Sequence, residues 1–349
     1  MSNVVPIGLP RRPNTAQRQA ALINSFARHR RQPEDVFWLK ENAEVLNVLA
    51  TGGAALPAQS LDVFKGFYDG LEQRLRFFPQ YYRFLLSICL DLEDLGYEGE
   101  KGRALCQWVA QADLPTSELS DLQRAEAQRL LARRGCGRLD GDLEQRLRRF
   151  IGHSETFALP NKKAAYELTH IVFYLSEYGK RSPGLSEAAV VSLEFAGLLA
   201  YLDQDIDLLS EICVALRFAG ETPSAVWEDW LSRELAGFVL SAAPDGPAPD
   251  AYHEYLVTSW WAELAGLSGF PGMPQTAGVM VTRHATRKGP LRAISEVLYG
   301  LGPGRTGDWD QMRAIFERTL AAEHQQILEG AARSSTRFDA FFAGFSRAM

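Results

Sequence analysis

The chain has 349 residues, of which 46% are hydrophobic, 23% charged and 11% aromatic, which provides for a substantial buried core and excludes disorder of the whole chain. Its formal charge of −6 argues against a general nucleic-acid binder, which needs clustered Lys and Arg to neutralise phosphates. The figure is a composite: residues 1–33 carry Arg11, Arg12, Arg18, Arg28, Arg30 and Arg31 with no Asp or Glu, and the other 31 basic and 43 acidic residues leave the remainder at −12.

This asymmetry suggests a basic N-terminal arm, 1–33, on a helical domain, 34–349, with a possible seam near 152–161. Within the arm, residues 15–31 have the pattern of a short amphipathic helix carrying Leu22, Ile23 and Phe26 beside arginines. Such a segment can dock on a partner or a membrane surface, or pack on its own acidic body. No run has the 18 or so apolar residues of a membrane span, and no apolar leader precedes a small-residue cleavage site. Cys89, Cys106, Cys136 and Cys213 are widely spaced and form no CxxC. The expectation is a soluble, cytoplasmic protein with reduced thiols.

Apolar residues recur with a helical period almost throughout, which predicts an all-α fold. In chain order the spacing predicts helices over Glu34–Ala50, ending before Gly52, then Ser60–Phe77 and Gln80–Leu95, separated at Pro79. Gly102–Gln111 follows, then Ser117–Arg134 capped by Thr116 or Ser117, and Gly141–Ile151 closed by Gly152. Asn161 caps a helix over Lys162–Tyr178 that stops at Gly179, Ser186 caps one that runs to Leu202, and Asp205–Ala219 stops at Gly220. Further helices are predicted over Pro223–Leu240, Pro249–Leu267, Pro290–Tyr299, Asp308–Ala332 and from Thr336 onward. Ser241–Pro249 reads as a surface loop, and Ser268–Gly289 as irregular with an extended piece near Val279–Thr282. About a dozen helices in stacked antiparallel pairs are expected, an arrangement that an α/α toroid would close.

Three helices carry polar interruptions where apolar residues prevail. On Lys162–Tyr178, Glu167, His170, Tyr174 and Glu177 follow at spacings of 3, 4 and 3, with Lys163 and Tyr166 extending the same face. Buried imidazole and carboxylate groups are costly unless paired or ligand-bound, so the stripe makes either an internal network or the wall of a site. Glu167 and His170 also have the ExxH spacing by which a carboxylate and an imidazole on one helix reach one metal ion. Asp203, Asp207 and Glu211 form a second series at i, i+4 and i+8; Asp203 and Asp205 are explained by capping, whereas Glu211 sits mid-helix among apolar residues, open to an ion pair with Arg217. In the third, Asp250 and His253 make a DxxH at a helix start.

These residues allow a dinuclear site completed by Glu211 and Glu194, or, with fewer coincidences, a mononuclear site of two histidines and a carboxylate suited to zinc or ferrous iron. The candidate metal ligands are Glu167, His170, Glu211 and His253; the candidate catalytic groups are His170, His253, Glu211 and Tyr174. No phosphate-binding GxxxxGK[ST], dinucleotide GxGxxG, GxSxG, HExxH or calcium loop occurs, and the DQDID segment lacks the DDxxD form of an ionising terpene synthase. Gly302–Arg305 reads as a plain turn or as an anion-holding loop; His153, His284 and His324 receive no role.

The segments AYELTHIVFYLSEYG, DIDLLSEICVALRFAG and AYHEYLVTSWW, spread over residues 160–262, resemble a poorly characterised group of bacterial all-helical proteins with YxLTHxxFYxTDxG-like, DxDLxxEL and YHxxLV helices. This chain has Ser176 and Glu177 where that pattern has Thr and Asp. The resemblance implies an α/α-toroid-like body encoded near biosynthetic genes, and points to Glu167, Thr169, His170, Asp207, Glu211 and His253. The resulting expectation is a small-molecule-modifying enzyme with a pocket between the helices at 162–178, 205–219 and 249–267, using one divalent metal or metal-free acid and base catalysis. The alternative is a non-catalytic helical scaffold that uses its basic arm to engage a partner.

Overall fold

The computed structural model describes residues 14–138, 140–242, 250–272, 279–283 and 288–348. It bears out the all-α expectation, with eighteen α-helices and one two-stranded sheet among the described residues. None of these helices is long and apolar enough to cross a membrane. There are more helices than the dozen expected because several predicted ones are split.

The first is α1 (Thr15–Ser25), opened by a capping box in which Asn14 and Gln17 exchange side-chain and backbone hydrogen bonds. It runs into a π-helical turn, Phe26–Arg30, and is followed by α2 (Val36–Thr51), capped by Asp35. Leu22, Ile23 and Phe26 are fully buried. The described part of the arginine-rich segment therefore packs on the chain's own body; Arg11 and Arg12 lie outside the described residues.

The predicted helix over Ser60–Phe77 is divided. Ala58–Phe64 is 3-10 helical, and α3 (Lys65–Asp69) and α4 (Leu71–Phe77) meet at Gly70. α5 (Tyr82–Asp94) and α6 (Lys101–Gln111) lie close to expectation. α7 (Asp121–Ala132) starts four residues later than predicted, because Ser120 rather than Ser117 caps it and Pro115 sits in a 3-10 turn. α8 (Gly141–Ile151) has the predicted bounds, with Asp140 as its cap, and the single turn α9 (Ser154–Phe157) follows.

The body of the molecule is built on α10 (Lys162–Leu175), α11 (Glu187–Asp203), α12 (Ile206–Phe218) and α13 (Ala225–Leu235). α12 packs against α10, α11, α13 and α14 (Tyr252–Leu264), and α2 packs against α5 and α14. A helix covered on this many sides must be apolar around most of its circumference, and every residue of α12 from Leu208 to Leu216 is buried. Glu211 is thus a carboxylic acid in the middle of the core.

α13 stops short of the predicted Leu240. Phe238–Ser241 instead forms β1, antiparallel to β2 (Met280–Arg283), with Leu240 opposite Val281. Gly237 interrupts the helix, and the following Phe and Val suit a strand; β2 falls on the extended piece expected near Val279–Thr282. Most of the predicted 241–249 loop, and His284, lie outside the described residues. The chain ends with α15 (Leu291–Leu301), α16 (Trp309–Thr319), α17 (Ala322–Ser334) and α18 (Phe338–Ser346). The predicted Asp308–Ala332 helix breaks at Leu320, where Gln325 donates from its side chain to the carbonyls of Glu317 and Leu320 and so satisfies the end of α16.

Candidate functional site

Three helices converge on the polar interruptions. α10 contributes Tyr166, Thr169 and His170, α12 contributes Asp207 and Glu211, and α14 contributes His253. One ligand atom each from Asp207, Glu211 and His253 lies within 4.8 Å of the others, a spacing able to hold a metal ion. Asp207 and Glu211 are one turn apart and face the same way because the side chains at i and i+4 of a helix share a face.

His253 Nδ1 is 2.7 Å from Asp207 Oδ1, and Tyr166 donates its hydroxyl to Asp207 Oδ2 at 2.7 Å. On its other side His253 Nε2 is 4.0 Å from Glu44 of α2, whose carboxylate accepts from Tyr252 at 2.9 Å. Burial works against a charged imidazole, but Asp207, through its hydrogen bond and its charge, and then Glu44 and Glu211 push the His253 pKa up to about 9. Burial also opposes ionisation of Asp207, yet His253 and the Tyr166 hydroxyl hold it below the ordinary aspartate range. His253 and Asp207 are therefore an imidazolium–carboxylate pair at neutral pH.

Glu211 behaves oppositely. Its side chain is only 3% exposed, and burial, assisted by the charge of Asp207 and opposed by that of His170, pushes its pKa up. Thr169 Oγ lies 2.6 Å from Glu211 Oε2 and 2.9 Å from the Tyr166 carbonyl, with one proton for two acceptors. The Thr169 hydroxyl that donates to Glu211 favours its charged form and so works against the effect of burial. The two carboxyl groups on α12 are thus pushed in opposite directions, Asp207 toward its charged form and Glu211 toward its neutral one, the kind of separation that general acid and base chemistry uses.

His170 sits at the edge of this group. Its Nδ1 is 2.7 Å from the Tyr166 carbonyl and 3.7 Å from Glu211 Oε2. A carbonyl can only accept, so Nδ1 carries the proton and Nε2 is left as the nitrogen free to act. The rings of both histidines are about one-third exposed, His170 at 35% and His253 at 33%, so the cluster opens to solvent past them.

Other expected members lie elsewhere. Glu167 is half-buried on α10 and does not belong to the three-residue cluster. Tyr174 is buried one turn below His170, ring centroids 6.1 Å apart, and burial and the charge of Glu126 push its pKa up. Asp250 does not complement His253 as the DxxH spacing suggested, because Arg30 claims it at 2.8 Å. Glu194 bonds Ser335 and pairs with Arg337, and Glu177 pairs with Arg129. Arg217 pairs with Glu228 rather than Glu211. Sequence reasoning missed Glu44 and Tyr252; the only signal was the run Lys40, Glu41, Glu44, which resembles a solvated helix face.

α10 ends at Leu175, three residues early, because Glu177, Tyr178 and Gly179 all adopt left-handed backbone, with φ of 50°, 54° and 84°. Ser176 ties this turn together by accepting from Gly179 N–H at 3.2 Å. A Cβ on Gly179 would lie 2.5 Å from the Phe218 ring. Gly179→Ala is accordingly expected to cost about 2 kcal/mol from combined backbone strain and overpacking, read as a lower urea midpoint with an unchanged m-value.

The fold and site together describe an all-α protein whose central helices bring a histidine and two carboxyl groups within reach of one ion. The chain belongs to the family described as Domain of unknown function (DUF6902), whose model matches residues 1–348. No curated protein and no solved structure matches it.

Proposed function

We propose that this chain is a small-molecule-modifying enzyme that binds one divalent metal, zinc or ferrous iron, through Asp207, Glu211 and His253, with His170 as acid and base through Nε2. The observation that carries the reading is the approach of three ligand atoms from three separate side chains to within 4.8 Å. A mixed set of one imidazole and two carboxylates suits these ions. Loading the site replaces the proton between His253 and Asp207 by the ion, and leaves Glu44 as the carboxylate behind the ligating imidazole. The bound ion would act as a Lewis acid toward a substrate oxygen or a water. An intracellular bacterial setting close to biosynthesis belongs to the same proposal.

Elemental analysis of the full chain, purified without a His tag, tests it. About one equivalent of zinc or iron per chain is expected, falling below a tenth in His253→Ala with an unchanged circular dichroism spectrum. A metal-free wild-type chain that also fails to take up added zinc or ferrous iron ends the metal reading. The closed network Tyr166–Asp207–His253 favours a second reading in that case, a scaffold in which the same groups act as internal struts.

A further inference from the structure

Two buried arginines of this protein are treated very differently. Arg30, with a fully buried side chain, gives its donors to Glu41, Asp250 and the Val279 carbonyl. The Arg129 side chain, 7% exposed, stacks its guanidinium 4.3 Å over the Tyr178 ring, and its Nε lies 3.3 Å from Glu177 Oε2, an ion pair without the alignment of a hydrogen bond. One turn along, the Arg133 side chain is 8% exposed; it spends Nη2 on Asp91 and Asp94, while Nε and Nη1 are buried without an acceptor.

Leaving a buried charged donor unsatisfied is among the costlier defects of a folded chain, so such groups are found paired with a ligand, an ion or ordered water. Here Arg133 Nε and Nη1 carry the defect at the end of one helix, and Arg129 Nε beside them has a carboxylate within reach but no aligned acceptor. The spacing i, i+4 places both side chains on the same face of α7. Asp94, which accepts from Arg133 at 2.9 Å, also accepts from Lys180 at 3.4 Å, in the turn whose Glu177 and Tyr178 meet Arg129. The two guanidinium groups therefore border one region, with Tyr178 as its wall.

We propose that Arg129 and Arg133 form a binding site for an oxyanion, a carboxylate or phosphate group carried by a small molecule. A planar guanidinium fork matches such a group with two parallel hydrogen bonds. The strained left-handed turn at Glu177–Gly179 holds the Tyr178 ring against Arg129, which fits the tendency of backbone strain to gather at ligand sites. A chain of ring contacts joins the site to the centre described above: Tyr178 to Tyr174 at 6.1 Å, and Tyr174 to His170 at 6.1 Å. That the oxyanion belongs to the substrate of that centre rests on the functional reading already given; binding of the oxyanion itself does not.

The test is calorimetric titration of the full chain with inorganic phosphate, sulfate and malonate, with and without zinc. Saturable binding of at least one of them is expected, weakened tenfold or more in Arg129→Lys and in Arg133→Lys, which keep the charge and lose the fork. In the wild-type chain the Nε–H resonances of Arg129 and Arg133 should shift along the same titration, a readout that needs no variant to fold. Absence of saturable binding of all three anions overturns the proposal, and so does binding that leaves both resonances unmoved or both variants unaffected. Oxyanion binding by a chain that refuses zinc removes the metal reading and keeps this one; zinc uptake without oxyanion binding does the reverse.

Discussion

Zinc affinity is expected to rise about tenfold per pH unit between pH 6.5 and 8.5, while the metal-free chain loses stability over the same range. Both follow from one proton. The His253 pKa, pushed up to about 9 by Asp207, Glu44 and Glu211 against the opposing effect of burial, lies above the roughly 6.5 of an unfolded histidine. A group with a raised folded-state pKa contributes stability that is complete below its unfolded pKa and disappears as pH rises through the folded one. For a ring one-third exposed the contribution is about 1–3 kcal/mol after allowance for screening, lost mainly between pH 7 and 9. Glu211, whose pKa is also raised, chiefly by burial, contributes with the same sign. A metal competes with these same protons, so each unit of pH removes a tenfold handicap to binding. The measurement is a set of thermal scans from pH 6 to 8.5 with zinc held by a buffer of known free concentration. The apo midpoint should fall with pH as the zinc-induced increment grows. A scaffold whose network merely braces the core would show the first trend and not the second. Calorimetry in buffers of differing ionisation enthalpy should record release of one proton from His253 near pH 7, plus whatever fraction of Glu211 is protonated.

Much of this arrangement was legible in the residues. Asn161, Ser186 and Asp205 each cap the helix expected of them, and Gly141–Ile151 needed nothing beyond its local pattern. What local pattern could not supply was tertiary. Phe238–Val239 reads as well in a helix as in a strand until Arg283 and Thr282 arrive to pair with it. Glu211 stood out because a carboxylic acid in an apolar helix needs an explanation, and Thr169 and the α12 packing provide its surroundings. Glu44 did not stand out, since a Glu beside Lys40 on a helix resembles solvent-facing polarity until Tyr252 and His253 are brought against it. The six arginines of the first 33 residues suggested a basic arm that could pack on the acidic body, but nothing in their spacing marked Arg30 as one of the most deeply buried side chains of the protein.

Arg30→Met is expected to destabilise the chain by about 3–5 kcal/mol, because the two carboxylates it neutralises would remain buried without a cation. The Arg30 and Glu41 side chains are at most 1% exposed and Asp250 is 2% exposed. The guanidinium is also held between the rings of Phe26 and Tyr252, at 4.8 and 4.9 Å, and Glu41 takes a second, weaker share of charge from Arg31. That remaining contact places the loss toward the lower end of the range for Glu41 and the upper end for Asp250, which has no second ion-pair partner among the described residues. If uncompensated charge is the cause, the triple variant Arg30→Met, Glu41→Gln, Asp250→Asn should recover most of the loss, since apolar and neutral polar replacements of a buried ionic group are often tolerated. If the cause were only lost packing around the guanidinium, the triple variant would be no better than the single one. Urea denaturation of the full chain, comparing midpoints at a common m-value, separates the two. The single variant should also weaken zinc binding when both are measured below the unfolding range. Tyr252, which covers Arg30, donates to Glu44, and Glu44 faces the Nε2 of His253, so slackening that ring loosens the carboxylate behind the ligand. Losses of this outer support usually amount to about 10–100-fold in metal affinity, and a loss in that range with Asp207, Glu211 and His253 all intact would show that the arginine of the N-terminal segment helps to hold the site in shape.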